Sequence, residues 1–345
     1  MRYVFLICCC WLLIGCERDT ATAQFKTYSQ RLANVLDISA ASAKPGDIPE
    51  FPATRELTLP VEDIRIGILD AYELRKCGLF NLIAERNSIL GKVQDKSRQL
   101  RYELMLLRGI EHCLKTLPDD FELSDELRSF EQQKQAQLPI YLWNMLVTGK
   151  EWRQQLTLFH QPFSLNEFYG FNESLNAFKY LLYLSSQIND QQSVPDKQAE
   201  RVLYHQEQIH PHHYFGQLIY SISLSSQWLD AITTMLESQE QRIICGEGRN
   251  QQTAQYLTNV FYKFFATDLQ SYLAELDSQY LEIQPILSQL LLQHSLKTPE
   301  MTPYINYYLM GEMHEDFRRA TLAHVQFWQR VFKRCNIKVG RSPLG

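Results

Sequence analysis

Phe25, Tyr28, Leu32, Val35 and Leu36 recur at the spacing of one buried helical face, and they predict a first helix. Residues 39–62 break that rhythm. Pro45, Pro49, Pro52 and Pro60, with Gly46, predict an extended linker that runs over the surface of the domain. From Val61 the pattern has two readings. Ile64, Ile66 and Ile68 alternate as in a strand, whereas Ile64, Ile68, Leu69 and Tyr72 repeat as in a helix, and the helix is preferred. Gly78 ends it beside Cys77. A helix over about 79–90 follows, closed by Gly91 as a C′ glycine. The next covers about 95–116, with Leu100, Leu104, Leu107 and Leu114 on one face and Pro118 as its stop. The connection Gly91-Lys92-Val93-Gln94 is short, so these two helices form an antiparallel hairpin.

The rest of the chain keeps the helical period. A helix starts after Leu123, where Ser124 and Asp125 can cap it, and Pro139 is expected to kink or split it. An aromatic and leucine-rich segment over 140–158 ends at Pro162. Phe168, Phe171, Leu175, Phe178 and Leu182 predict a helix over about 164–190. Gln191 to Pro195 is the best internal break, and helices over about 196–209 and 213–243 follow it. Tyr256, Val260, Phe264 and Leu273 mark another helix. Leu281 to Leu296 mark one more, with Pro285 in its first turn. Pro299 and Pro303 precede a last helix over about 314–335, which carries Phe317, Phe327, Trp328 and Val331. The expected fold is therefore mainly α, a single multi-helix, bundle-like domain.

The first residues do not fit that body. Arg2 followed by the apolar run Tyr3 to Ile14 has the form of a signal peptide. The run is shorter than the roughly 20 apolar residues that span a bilayer. Leu13-Ile14-Gly15-Cys16 resembles the bacterial lipobox, in which the cysteine sulfur takes a diacylglyceryl group and becomes the first mature residue. Cys16 is the expected lipidation site, because only a nucleophilic sulfur forms the thioether. Cys8, Cys9 and Cys10 follow no small residue of the required kind and are read as leader. The expected organisation is a signal peptide over 1–15, a lipidated tether over 16–24 and a helical domain over 25–340. Glu17 follows the anchor rather than Asp, which favours the inner leaflet of the outer membrane, facing the periplasm.

Charge and cysteine content narrow the partners. The chain has a formal charge of −5, spread without a basic stripe, so nucleic acid is not an expected partner. The expected partners are the membrane, through the N-terminal lipid, and another envelope protein. Besides Cys16 the mature chain keeps Cys77, Cys113, Cys245 and Cys335. Export to an oxidising compartment makes two disulfides the expectation, and three connectivities are open. The hairpin brings Cys77 to Cys113. Cys245 and Cys335 both sit at helix ends, which favours Cys77–Cys113 with Cys245–Cys335.

Candidate chemistry is sparse. His205, His210, His212 and His213, with Glu207, form the densest group of metal-ligand types. Pro211 interrupts it and no H-E-x-x-H pair occurs, so a polar helix–helix loop is expected rather than a metal site. Glu85, Arg86, Asn87 and Ser88 close an otherwise apolar helix and are the candidate ligand-binding group. Arg86 could hold a carboxylate, while helix termination is the plainer reading. Glu312, His314, Glu315 and Asp316 complement a helix N-terminus. Gly246-Glu247-Gly248 lacks the glycines of a dinucleotide loop, and Tyr304, Tyr307 and Tyr308 read as core. No nucleophile motif is present and no cofactor is expected.

Cys77-Gly78-Leu79, Leu82 to Ser88, Leu90-Gly91-Lys92-Val93, Asn259-Val260-Phe261 and Tyr272-Leu273-Ala274 resemble a gammaproteobacterial lipoprotein family, the domain of unknown function 3080 family. The resemblance implies an exported, lipid-anchored helical protein and assigns no catalytic residue. The expected function is non-catalytic binding or scaffolding in the cell envelope. The alternatives are an envelope hydrolase acting on peptidoglycan or lipid, and a periplasmic metal or ligand carrier.

Overall fold

The computed structural model describes residues 21–43, 46–62, 67–88, 94–246, 251–293 and 298–337. Helix α1, Ala21–Leu36, buries Phe25, Tyr28, Leu32 and Leu36, the face its spacing defines. Among the described residues there is no strand, only a bridge that closes the turn Ser164–Glu167.

The Pro-rich linker is an extended strap with one helical turn, α2, Thr54–Leu57. Its backbone groups have no sheet partner, so side chains supply the bonds. Trp143 Nε1 donates to the Leu57 carbonyl at 2.8 Å. Asn144 brackets Leu59, accepting from its N–H at 2.9 Å and donating to its carbonyl at 2.8 Å. Arg153 donates to the Pro52 carbonyl at 2.6 Å.

Helix α3, Ile68–Glu73, runs into a tight turn over Leu74–Cys77. The helical reading of this segment holds where it is described. Ile64 and Ile66 lie outside the described residues. Helix α4, Phe80–Asn87, precedes α5, Lys96–Thr116, whose N-terminus is capped by Asp95 accepting from Arg98 N–H at 2.9 Å. Gly91, Lys92 and Val93 of the connection also lie outside the described residues. Cys77 and Cys113 are joined, with a Cα–Cα distance of 5.1 Å.

Helix α6, Ser124–Thr148, is continuous, with Pro139 in its interior and no side-chain cap. The expected split at Pro139 does not occur. Proline in a helix interior costs about 3 kcal/mol. Leu138, Tyr141, Leu142, Trp143, Met145 and Leu146 are all buried around it, each worth roughly 1.5–3 kcal/mol on burial. Packing therefore outweighs the proline. A short helix α7, Lys150–Leu156, follows.

Helix α8 spans Phe171–Asn189, not 164–190. Gly170 precedes it at φ 92°. A Cβ there would sit 2.6 Å from the His212 ring, so the chain turns on glycine and the helix cannot extend backward. Phe168 still reaches the interior, 5.2 Å from the Phe163 ring and 5.7 Å from the Tyr272 ring. Its apolar spacing came from the core, not from helix. Helices α9, Asp196–Ile209, and α10, Tyr214–Ser238, follow. Val194 in the loop between α8 and α9 is buried in the same core as both helices.

Helix α11, Gln252–Val260, continues through a π-wound stretch, Phe261–Leu269, into α12, Gln270–Leu292. The two helices expected here are one run, and Pro285 lies within α12 rather than in a first turn. Helix α13, Thr302–Tyr308, and helix α14, Glu312–Arg334, complete the domain. Cys245 is bonded to Cys335 just past α14, with a Cα–Cα distance of 4.9 Å. The main core draws on α1 and α5 to α14. A smaller one, built on Leu74, Leu79, Ile83, Leu106, Ile110 and Leu127, lies around the first disulfide. Helix α5 serves both.

Candidate functional site

The site with the most unspent chemistry is a groove between α8 and α9. Each helix turns an apolar face to the core: Ala177, Phe178, Leu181 and Leu184 on one, Ala199, Val202 and Ile209 on the other. The opposite stripes recur at helical spacing and meet across the groove. Asn172, Asn176, Lys179, Tyr180 and Tyr183 come from α8, and Gln198, Arg201, Tyr204, His205 and Gln208 from α9. The groove encloses about 730 Å³, within the range of small-molecule sites.

Its floor is rigid. The Tyr180 hydroxyl donates to the Gln198 carbonyl at 2.7 Å. The His205 ring stacks on Tyr180 with centroids 4.6 Å apart, and Tyr204 meets His205 edge-on at 5.2 Å. Arg201 lies 5.4 Å from the Tyr180 ring centre. Burial, helped by the Arg201 charge, pushes the His205 imidazole down to about 4, so it is neutral near pH 7.

Its walls are open. Tyr183 is 41% exposed and Tyr204 54% exposed. Gln198 Oε1 is buried and accepts no hydrogen bond. Among the described residues neither Lys179 nor Arg201 is paired with a carboxylate. Glu173 is the one acid that lines the groove. Hydrolysis of a glycosidic bond by the usual route needs two carboxylates facing each other. The arrangement can stack rings, donate to anions and accept from hydroxyl or amide groups.

The histidine group is dispersed. His205 faces the groove. His212 and His213 line a second cavity, of about 940 Å³, with His160, Glu167 and Thr22 on its rim, and His213 stacks on Phe159 at 4.6 Å. His210 is exposed, 3.6 Å from Glu151. Gln154 and Gln155 donate to the carbonyls of Ile209, His210 and His212, so the segment is the polar helix–helix loop that Pro211 suggests. Among the described residues no three His, Cys, Asp or Glu side chains converge as metal ligands.

Glu85, Arg86, Asn87 and Ser88 end α4. Ser88 Oγ donates to the Glu85 carbonyl at 2.7 Å, and Arg86 lies over the Tyr102 ring at 5.7 Å. Glu85, Asn87 and Ser88 are exposed. Cys16 lies outside the described residues. Tyr304 and Tyr308 are buried, and the Tyr304 hydroxyl donates to the Leu156 carbonyl at 2.7 Å.

Sequence reasoning missed a second polar cluster, inside the core. His324 on α14 is fully buried. Its Nε2 lies 3.0 Å from the Tyr28 hydroxyl and its Nδ1 2.9 Å from Thr233 Oγ1. Trp328 Nε1 donates to the Tyr28 hydroxyl at 3.0 Å. With Tyr28 thus acting as acceptor and then donor, the network assigns the tautomer with the proton on Nδ1. Burial holds this imidazole down to about 3. Glu103 and Lys134 form a second closed pair, 2.8 Å apart and buried between α5 and α6.

Fold and groove together define a disulfide-linked protein, all-α among the described residues, with a polar, aromatic-walled cleft between α8 and α9. The chain belongs to the family described as protein of unknown function (DUF3080), whose model matches residues 25–339. The match takes in the groove, both disulfides and the buried histidine network. No curated protein and no solved structure matches the chain.

Proposed function

We propose that this is a lipid-anchored cell-envelope protein that acts by binding rather than by catalysis. On this reading it is held by Cys16 at the inner leaflet of the outer membrane and faces the periplasm. The observation that carries the proposal is the pairing of all four body cysteines behind a leader that ends in Leu13-Ile14-Gly15-Cys16. Two disulfides suit an oxidising compartment and not a reducing one. Among the described residues no helix is long and apolar enough to cross a membrane, so the lipid is the attachment this reading requires. One acyl chain gives only marginal binding, whereas two or more hold a protein stably. Ala21 is the first described residue of α1. The five residue steps from Cys16 to it reach at most about 18 Å at roughly 3.3–3.6 Å per residue, which would keep the body near the membrane surface. The α8/α9 groove is the binding face, because its polar groups are not used up by the fold.

Labelled palmitate tests the anchor. The parent protein should take up label and fractionate with the outer membrane. Cys16→Ser should take up none. Label in Cys16→Ser would overturn the assignment.

A further inference from the structure

We infer that the α8/α9 groove binds a carboxylate-bearing saccharide, with sugar rings against Tyr183 and Tyr204 and the carboxylate on Arg201 and Lys179. This rests on the reading of the groove as the binding face of an envelope protein. Four observations point to that chemistry together. Exposed tyrosine rings on both walls offer flat apolar surface with a polar tip, which suits a sugar face. Arg201 and Lys179 are cations without a carboxylate partner among the described residues, and a bidentate guanidinium matches a carboxylate. Gln198 lines the groove with an Oε1 that is buried and has no donor in the fold, so a rotation of the side chain toward the groove would let it accept from a hydroxyl or acetamido N–H. Glu173, which lines the same groove, disfavours a polyanion such as nucleic acid, because a like charge would repel it, whereas a single carboxylate can be steered to the cation side.

His205 does not touch the ligand in this scheme. It is a positioning residue. Its ring, stacked on Tyr180, meets the edge of Tyr204, and its Nε2 lies 3.4 Å from Arg201 Nη2. The neutral imidazole can accept from the guanidinium and aim it along the groove.

The test has two arms on the full-length lipidated protein. In the first, calorimetry in detergent micelles compares the disaccharide of N-acetylglucosamine and N-acetylmuramic acid with neutral diacetylchitobiose. The acid should bind about tenfold tighter, the worth of one charge-assisted contact. Arg201→Met should erase that preference, and Tyr204→Ala should weaken both sugars. Each variant must keep the parent thermal midpoint. Equal binding of acid and neutral sugars, or an unchanged preference in Arg201→Met, overturns the inference. In the second arm, benzoylphenylalanine replaces Tyr204 in cells, with the exposed Leu322 as the remote control. A glycan adduct at 204 supports the inference. A protein adduct at 204 with no saccharide binding overturns the ligand class and leaves the groove as a binding face. No adduct above the 322 control, with no saccharide binding, overturns both.

Discussion

Two regions of this molecule place a histidine beside a tyrosine, with opposite outcomes. In the core, His324 uses both ring nitrogens, on Tyr28 and Thr233, and Trp328 completes the set. These partners come from α1, α10 and α14, and the network closes on itself. In the α8/α9 groove, His205 instead stacks on the Tyr180 ring, whereas His324 meets Tyr28 edge-on, and the groups around His205 stay open. Arg201 lacks a carboxylate partner among the described residues, Gln198 Oε1 lacks a donor, and Tyr204 faces solvent. Buried polar groups stabilise a fold only when all are satisfied. The first region is therefore structural. The second keeps bonding capacity that the fold does not need, and that surplus is what a ligand can use.

The largest effects should come from opening a closed polar group. Glu103→Ala strands Lys134 in the interior and should cost about 3–5 kcal/mol, read as a fall in the denaturant midpoint. A Glu103→Met/Lys134→Met pair should recover most of it. If Glu103→Ala unfolds with the parent, the pair is not closed as described. Next comes the staple that joins Cys245, in the loop after α10, to Cys335 at the end of α14, the two helices that carry Thr233 and His324. Cys335→Ala frees a link across 90 residues and should cost about 2–4 kcal/mol in calorimetric unfolding under oxidising conditions. An unchanged midpoint would mean that helix packing alone holds this end together.

The pH dependence separates the regions more finely. His324 is held neutral in the fold at about 3, below the 6.5 of the free side chain. Below about pH 6.5 the unfolded chain binds a proton that the native state refuses. Stability from this site is thus full above that pH and falls as the solution is acidified toward pH 3, by about 1.4 kcal/mol per unit. His324→Gln should flatten the acid limb of the stability curve, with an overall loss of about 1–3 kcal/mol from unmade bonds. An acid limb unchanged in slope would place the refused proton elsewhere. Smallest of all, Arg201→Met should shift stability by less than about 0.5 kcal/mol, as expected of an exposed side chain. A loss as large as that of His324→Gln would make the groove another structural network.

Much of the helical framework was legible from apolar spacing. Helix α9 falls on its expected range, and the two disulfides are the pairing that export and the expected helix ends favoured, although α10 ends at Ser238 and not at 243 and leaves Cys245 in the loop beyond it. Pro139 and Pro285 misled because tertiary burial outweighs a local penalty that sequence makes visible. Phe168 misled because a core position can carry helical spacing without helical backbone. The groove was hidden for another reason. A polar stripe on one helix reads as a solvated face, and only the pairing of α8 with α9 turns two such stripes into a site. His324 was a lone histidine on an apolar face, and its partner Tyr28 is 296 residues away.

The most direct test of this division is one titration. An Arg201→Met/Tyr204→Ala variant of the full-length protein is titrated with the acidic disaccharide beside the parent, after both are shown to melt at the same temperature. The account predicts binding by the parent and none by the variant. Equal binding by the two, at equal thermal midpoints, would contradict it.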